Sequence, residues 1–142
     1  MLNGIMETFE IIAEVKDVEL ILDCPDEVGI ICDAQWTTEA ISNIVKNCIE
    51  HTPSEGRIKI KVEQNNLATE IIITDTGEGI EKEHLPYIFK RFYKAPGSSG
   101  NSVGIGLSMS KQIIMRQNGN ITVESKVGEG SVFCIKLYRL YA

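Results

Sequence analysis

The chain has no long apolar run, and this excludes a membrane-spanning helix. Its first residues, "MLNGIMETFEIIAEVKD", lack the basic start and continuous apolar core of a signal peptide. A cytoplasmic domain is therefore expected. Basic residues are outnumbered, with a formal net charge of -6, so the stripe that a nucleic-acid platform needs is missing. A phosphate ligand is still compatible with that charge, because a pocket of backbone N–H groups can hold one inside an acidic protein. There is no C-x-x-C pair. Cys24, Cys32, Cys48 and Cys134 each sit in an apolar pattern and read as buried free thiols. The two histidines, His51 and His84, are too few and too far apart for a dedicated metal site. No Ser-His-Asp, H-E-x-x-H, paired-carboxylate or G-x-x-x-x-G-K-[ST] arrangement occurs, and no internal repeat. What is present is ordinary: 142 residues and 43% hydrophobic content suit one globular domain, residues 1–142, with a sizeable core.

Periodicity divides this domain. Leu2, Ile5, Met6, Phe9, Ile12 and Ala13 recur at helical spacing over 1–16. "VELILDC" (18–24) alternates as a strand, Pro25-Asp26 turns, and "VGIICD" (28–33) reads as the second strand of a hairpin. Trp36, Ala40, Ile41, Ile44, Val45, Cys48 and Ile49 form one stripe of a helix over 35–50, closed by Pro53 and Gly56. "RIKIKVEQ" (57–64) alternates with one wet face, and "ATEIIITD" (68–75) returns as a more buried strand. A short helical piece is expected at about 82–92, a Gly/Ser-rich mobile loop at 94–104, and a helix at about 105–117. Two strands, 120–126 and 131–139, finish the chain. The pattern predicts an α/β fold: two layers, a mixed sheet of five or six strands, and three helices.

Three places attract chemistry. Glu39, Asn43 and Asn47 stack along one side of the 35–50 helix. Asparagine is poor inside a helix, because its side chain competes with the backbone. The row is either a solvated face or a set of hard amide oxygens suited to Mg²⁺. Second, Asp75 ends a buried strand, with Gly77 and Gly79 behind it. Either it receives a hydrogen bond from an exocyclic amine such as that of adenine, or it closes an Asp-x-Gly turn. Third, Gly104 and Gly106 open a helix, as a phosphate seat or as an ordinary loop; the G-x-G-x-x-G pattern fails at Met109. "RFYK" (91–94) adds a basic-aromatic cluster, while His84, beside Glu81 and Glu83, reads as an exposed helical turn.

Their order along the chain is more specific than any one of them. "NIVKNCIEHT" (43–52), "DTGEGI" (75–80), "IFKRFYK" (88–94), "GIGL" (104–107) and "GEGS" (128–131) resemble the N, first glycine, F, second glycine and last glycine boxes of the catalytic, ATP-binding domain of bacterial sensor histidine kinases. That family shares a Bergerat-type fold with the gyrase, Hsp90 and MutL ATPases, and the resemblance covers residues 1 to about 139. It implies ATP and Mg²⁺ as ligands. Asp75 would hold the adenine amine, with Gly77 and Gly79 making room for the base, and Ile80, Ile105, Leu107 and Ser131 near it. Asn47, with Asn43, would hold the metal against the triphosphate. Gly104 and Gly106 would present N–H groups to phosphates. Phe89, Phe92 and Tyr93 would anchor a lid over 94–104, and Arg91 and Lys94 would approach the γ-phosphate.

Two positions depart from the family. Glu50 stands where a lysine is frequent, leaving that phosphate contact open, and His51 takes the place of the following aromatic. A hydrolase register can also be drawn, because Glu39 precedes Asn43 by four residues. "NCIEHT" instead aligns Asn47 with the kinase asparagine. Asn43 then stands where hydrolases keep a base and cannot accept a proton, which suits transfer to a protein. The resemblance implies γ-phosphoryl transfer to a histidine on a separate dimerisation domain, expected before residue 1. It also implies a response-regulator partner, a homodimeric and often membrane-anchored parent, and a monomeric isolated domain. Other readings are a stand-alone serine kinase of the anti-sigma type, a hydrolysing ATPase, and a non-catalytic nucleotide-binding module.

Overall fold

The computed structural model describes residues 1–25, 29, 32–93 and 106–138. The expected lid over 94–104 lies outside them. So do Val28, Ile30 and Ile31 of the strand expected at 28–33, whose described residues Gly29, Cys32 and Asp33 are not in a strand. Three helices, α1 (Leu2–Lys16), α2 (Ala34–His51) and α3 (Gly106–Arg116), and five strands are present among the described residues. The strands are β1 (Glu19–Asp23), β2 (Arg57–Gln64), β3 (Ala68–Asp75), β4 (Asn120–Lys126) and β5 (Gly130–Tyr138). They form one sheet in the order β1-β2-β3-β5-β4, parallel between β1 and β2 and antiparallel elsewhere. Between β3 and α3, the piece expected to be helical over 82–92 is a single 3₁₀ turn, Leu85–Tyr87, within a run of turns.

The period of two in β2 decides which face of the sheet is covered. Ile58, Ile60 and Val62 are buried, whereas Arg57, Lys59, Lys61 and Glu63 are exposed. The buried row continues through Ile71 and Ile73 of β3 and Phe133, Ile135 and Leu137 of β5. Leu2, Ile5, Phe9 and Ala13 of α1, the stripe of α2, and Ile113 and Ile114 of α3 join the same core. Burial of one such aliphatic side chain contributes about 1.5–3 kcal/mol.

Local chemistry sets the element ends. Asp33 caps α2 by accepting from the Trp36 N–H at 3.0 Å. Asp17 closes α1 in the left-handed region, φ 60°, its N–H returning to Ala13 and Glu14. The Asn65 side chain accepts from the Leu67 and Ala68 N–H groups and folds the β2–β3 turn.

The stripes needed correction at their margins. Ile12 is 52% exposed, and Ile11 and Val15 beside it more so, because the sheet covers only the narrow strip of α1 that carries Leu2, Ile5, Phe9 and Ala13. Trp36 is 55% exposed, and Thr37 takes the core position. The Thr37 hydroxyl is satisfied there by the Gln117 amide at 3.0 Å, which ties the start of α2 to the end of α3. Of the four free cysteines only Cys48 is buried; Cys24, Cys32 and Cys134 are half-buried.

Glycines give a test of this packing. Gly130 has φ 118°, and a Cβ there would lie 2.0 Å from the Asp75 carbonyl oxygen across the β3–β5 pairing. Gly130→Ala should lower stability by about 2–4 kcal/mol. Gly4, inside α1 with nothing within 4 Å of its Cβ position, should gain about 0.5–1 kcal/mol as Gly4→Ala. Urea unfolding followed by circular dichroism reads both; equal effects of the two substitutions would contradict the packing at Gly130.

Candidate functional site

The site grows from the end of β3. Because β3 alternates inward and outward, Asp75 follows Ile71 and Ile73 onto the covered face and is 5% exposed. A buried carboxylate needs donors. Its Oδ1 accepts from the Gly77 N–H at 2.8 Å and from the Ser131 N–H at 3.2 Å. A third neighbour comes from α2. Burial pushes the Cys48 thiol well above its usual range, and the charge of Asp75 and a hydrogen bond to it push it further. The thiol therefore stays protonated beside the carboxylate. Nothing in the sequence marks this contact. Cys48 reads there as core, and only the pairing of α2 with β3 brings it to Asp75.

The glycine turn after Asp75 is pinned on both sides. A Cβ on Gly77 would lie 2.5 Å from the His51 carbonyl oxygen at the end of α2. On Gly79, with φ 78°, it would lie 2.2 Å from the Lys126 carbonyl oxygen at the end of β4. On those sides the space that the glycines leave is filled by protein backbone. The Gly128 N–H donates to the Glu78 carbonyl at 2.9 Å, and the Ile80 N–H donates to the Ser125 hydroxyl at 2.7 Å. Ser125 donates in turn to the Gly130 carbonyl at 3.0 Å, so the hydrogen between Ser125 and Ser131, 2.8 Å apart, comes from Ser131. Ser125 was not picked out from the sequence; alternation along β4 is the signal that puts it on the same face as Ile121 and Val123.

On α2, Asn43 and Asn47 are half-buried and Glu39 is exposed. The start of α3 meets this row: the Gly106 Cβ position lies 3.7 Å from Asn43 Cβ. Ser110, one turn on, donates to the Ala40 carbonyl at 2.8 Å and fixes the two helices together. Residues far apart in the chain thus gather here, namely Asn43, Asn47 and Cys48 with Asp75, Gly77, Gly106 and Ser131. A cleft of about 260 Å³ borders Asp75 and Ser131 with Ser125 and Lys126, while a larger cavity of about 710 Å³ lies away from them between α1 and β1.

The aromatic residues divide. Phe89 packs edge-on against Phe133, centroids 6.3 Å apart, with the Lys111 ammonium 5.0 Å above it. The Tyr93 hydroxyl meets His84 Nδ1. Phe92 is 63% exposed, has φ 67°, and carries the Arg91 guanidinium 4.9 Å above its ring. His84 is half-buried rather than on an exposed helical turn, because Tyr93 holds it. Ile80 and Leu107 pack against the core. Lys94, Gly104 and Ile105 lie outside the described residues.

Comparison with known proteins gives these groupings a family. Residues 32–140 match the family model described as histidine kinase-, DNA gyrase B-, and HSP90-like ATPase. The sensor histidine kinase YclK of Bacillus subtilis is 34% identical over 144 residues, covering 94% of this chain and 30% of the relative. The chain thus spans about a third of the length of the curated relatives it matches. Full-length ShkA, solved in complex with AMPPNP, superimposes with a TM-score of 0.85 at 19% identity, over 99% of this chain and 30% of that one. The histidine kinase ThkA, solved with the response regulator TrrA, gives 0.80 at 23%, over 98% and 39%. The two structures share the fold, and the extent and identity of the sequence matches place the chain in the histidine kinase-, DNA gyrase B- and HSP90-like ATPase family, among the sensor histidine kinases.

Proposed function

We propose that this chain binds Mg²⁺–ATP and donates the γ-phosphoryl group to a histidine on a separate dimerisation domain, as the catalytic core of a two-component sensor kinase. The observation that carries the reading is the meeting of α3 with the asparagine row: Gly106 at the start of α3 lies against Asn43, with Asp75 at the adjoining end of β3. A helix N-terminus offers free N–H groups and positive potential to phosphate. Asn43 and Asn47 offer neutral amide oxygens one turn apart, and such hard oxygen donors fit Mg²⁺ when phosphates supply the charge. The metal, when bound, neutralises the phosphates and draws electron density from the transferring group.

The chain's own groups divide the remaining work. Asp75 accepts from the adenine amine, with its other hydrogen bonds already fixed by Gly77 and Ser131. Ile80, Leu107 and Ser131, with Ile105, line the base side. Arg91 and Lys94 approach the γ-phosphate, and Phe89 and Tyr93 hold the base of the lid, residues 94–104. Glu39 is exposed and stands a turn beyond Asn43, and Asn43 cannot take a proton, so neither serves as a base for water and transfer to a protein acceptor is favoured. Phosphoryl transfer is chiefly positioning and electrostatics, so the acceptor must be docked. The acceptor domain, its homodimer and a response regulator are the partners this reading requires. In the described residues no helix is long and apolar enough to cross a membrane, and an anchored parent would carry its span elsewhere.

Two outcomes are expected. Calorimetry should show ATP preferred over GTP, whose carbonyl would face the carboxylate, and Asp75→Ala should weaken ATP binding about 5- to 150-fold, because an unpaired buried acceptor or amine costs about 1–3 kcal/mol. Equal affinity for the two nucleotides would remove Asp75 from the base. With γ-labelled ATP, the chain alone should remain unlabelled on histidine: His51 is engaged by Glu78 and His84 by Tyr93. A separately made histidine-bearing domain from the same parent should take up acid-labile label in its presence. Strong labelling of His51 or His84, or of a serine, would contradict the proposal.

A further inference from the structure

The five boxes assign no role to Glu78, the residue between Gly77 and Gly79. In this chain it is held from three directions. Its N–H donates to the His51 carbonyl at 3.3 Å, and its carbonyl accepts from the Gly128 N–H at 2.9 Å. Its carboxylate Oε1 lies 2.9 Å from His51 Nδ1. His51 is the last residue of α2 and sits four positions after Asn47, as Asn47 sits four after Asn43. A residue every four places lies on one side of a helix. The side chain that meets Glu78 thus belongs to the same helix side as the asparagine row.

We infer that the His51–Glu78 contact braces the glycine turn against the end of α2, making both positioning residues for the nucleotide. This rests on the nucleotide reading above. The turn carries Gly77, whose N–H holds Asp75 Oδ1, so a shift of the turn is felt at the carboxylate that receives the base. Backbone packs closely against the turn on the α2 side, but the backbone hydrogen bond that joins them is the one from the Glu78 N–H to the His51 carbonyl. The Glu78 N–H to His51 bond is long, and the Gly77 backbone passes the His51 carbonyl without a side chain to lock it. The imidazole–carboxylate contact adds a directional tie at that point. It is partly solvated, with side-chain exposures of 28% for His51 and 70% for Glu78, so its expected effect is a few-fold change in affinity and not loss of binding.

The test is a double-mutant cycle on Mg²⁺–ATP affinity, measured by calorimetry on the 142-residue chain. His51→Ala and Glu78→Ala should each weaken binding roughly three-fold. The double variant should be no weaker than either single one, because the second substitution has no contact left to remove. Glu78→Gln keeps an oxygen that accepts from the ring N–H, and should restore affinity to within about two-fold of wild type. Urea unfolding of the same variants separates positioning from folding, since midpoints close to wild type are expected at so exposed a pair. Losses that multiply in the double variant, or no loss in either single one, would overturn the brace while leaving the nucleotide reading standing. Absence of ATP binding by the wild-type chain would instead remove the nucleotide reading, and the brace with it.

Discussion

A carboxylate buried at the end of β3 is the constraint around which the rest of this molecule is arranged. Asp75 cannot be left without donors, and its neighbours on the covered face of β3, Ile71 and Ile73, have none to supply. The donors arrive from two places, the Gly77 N–H in the turn that follows and the Ser131 N–H on β5, and the protonated thiol of Cys48 on α2 lies beside them. Meeting that need fixes the register of β5 against β3, the depth at which α2 lies on the sheet, and the path of the glycine turn. Once these are set, the turn can pass only where His51 and Lys126 present carbonyl oxygens and no side chain intervenes. The glycines at 77 and 79 are thus required by the fold before any ligand is considered.

The same arrangement gives the site its two halves. One half is β3, the glycine turn and the start of β5, tied together because Ile80 and Ser131 both hydrogen-bond to Ser125. The other is the α2–α3 pair, joined by Ser110 to Ala40 and by Gln117 to Thr37, which brings the beginning of α3 to Asn43. The first half carries a fixed acceptor suited to a base. The second carries amide oxygens and a helix N-terminus suited to metal and phosphate. His51 and Glu78 stand where the halves touch.

Much of this architecture was legible because the period of the sequence matches the element. The alternation in "RIKIKVEQ" predicts both the strand and its covered face, and the strand ends agree with the structure to within a residue or two. Helical stripes are less exact at their margins, since Ile12 and Trp36 are apolar yet turned to solvent. Hydrophobic spacing reports a face but not how wide a strip the sheet can cover. The five boxes identify the family from their order alone. The contacts among them were not legible: that Cys48 faces Asp75, that Ser125 links Ile80 to Ser131, and that Tyr93 holds His84 all depend on strand order and helix depth, which no local pattern encodes. The role given to the glycines was also incomplete, because a sequence shows where a side chain is missing and not what fills the space.

The central claim is that these separated segments form one nucleotide site centred on Asp75. Titrating Mg²⁺–ATP into the isotopically labelled chain and following backbone and side-chain amides by NMR tests it directly. The account predicts that the largest shifts fall together on the Gly77 and Ser131 amides, the Asn43 and Asn47 side chains and the start of α3. The exposed flank of α1 at Ile11 and Val15 should stay unmoved. Shifts concentrated instead at the cavity between α1 and β1, with Gly77 and Ser131 unperturbed at saturation, would contradict it.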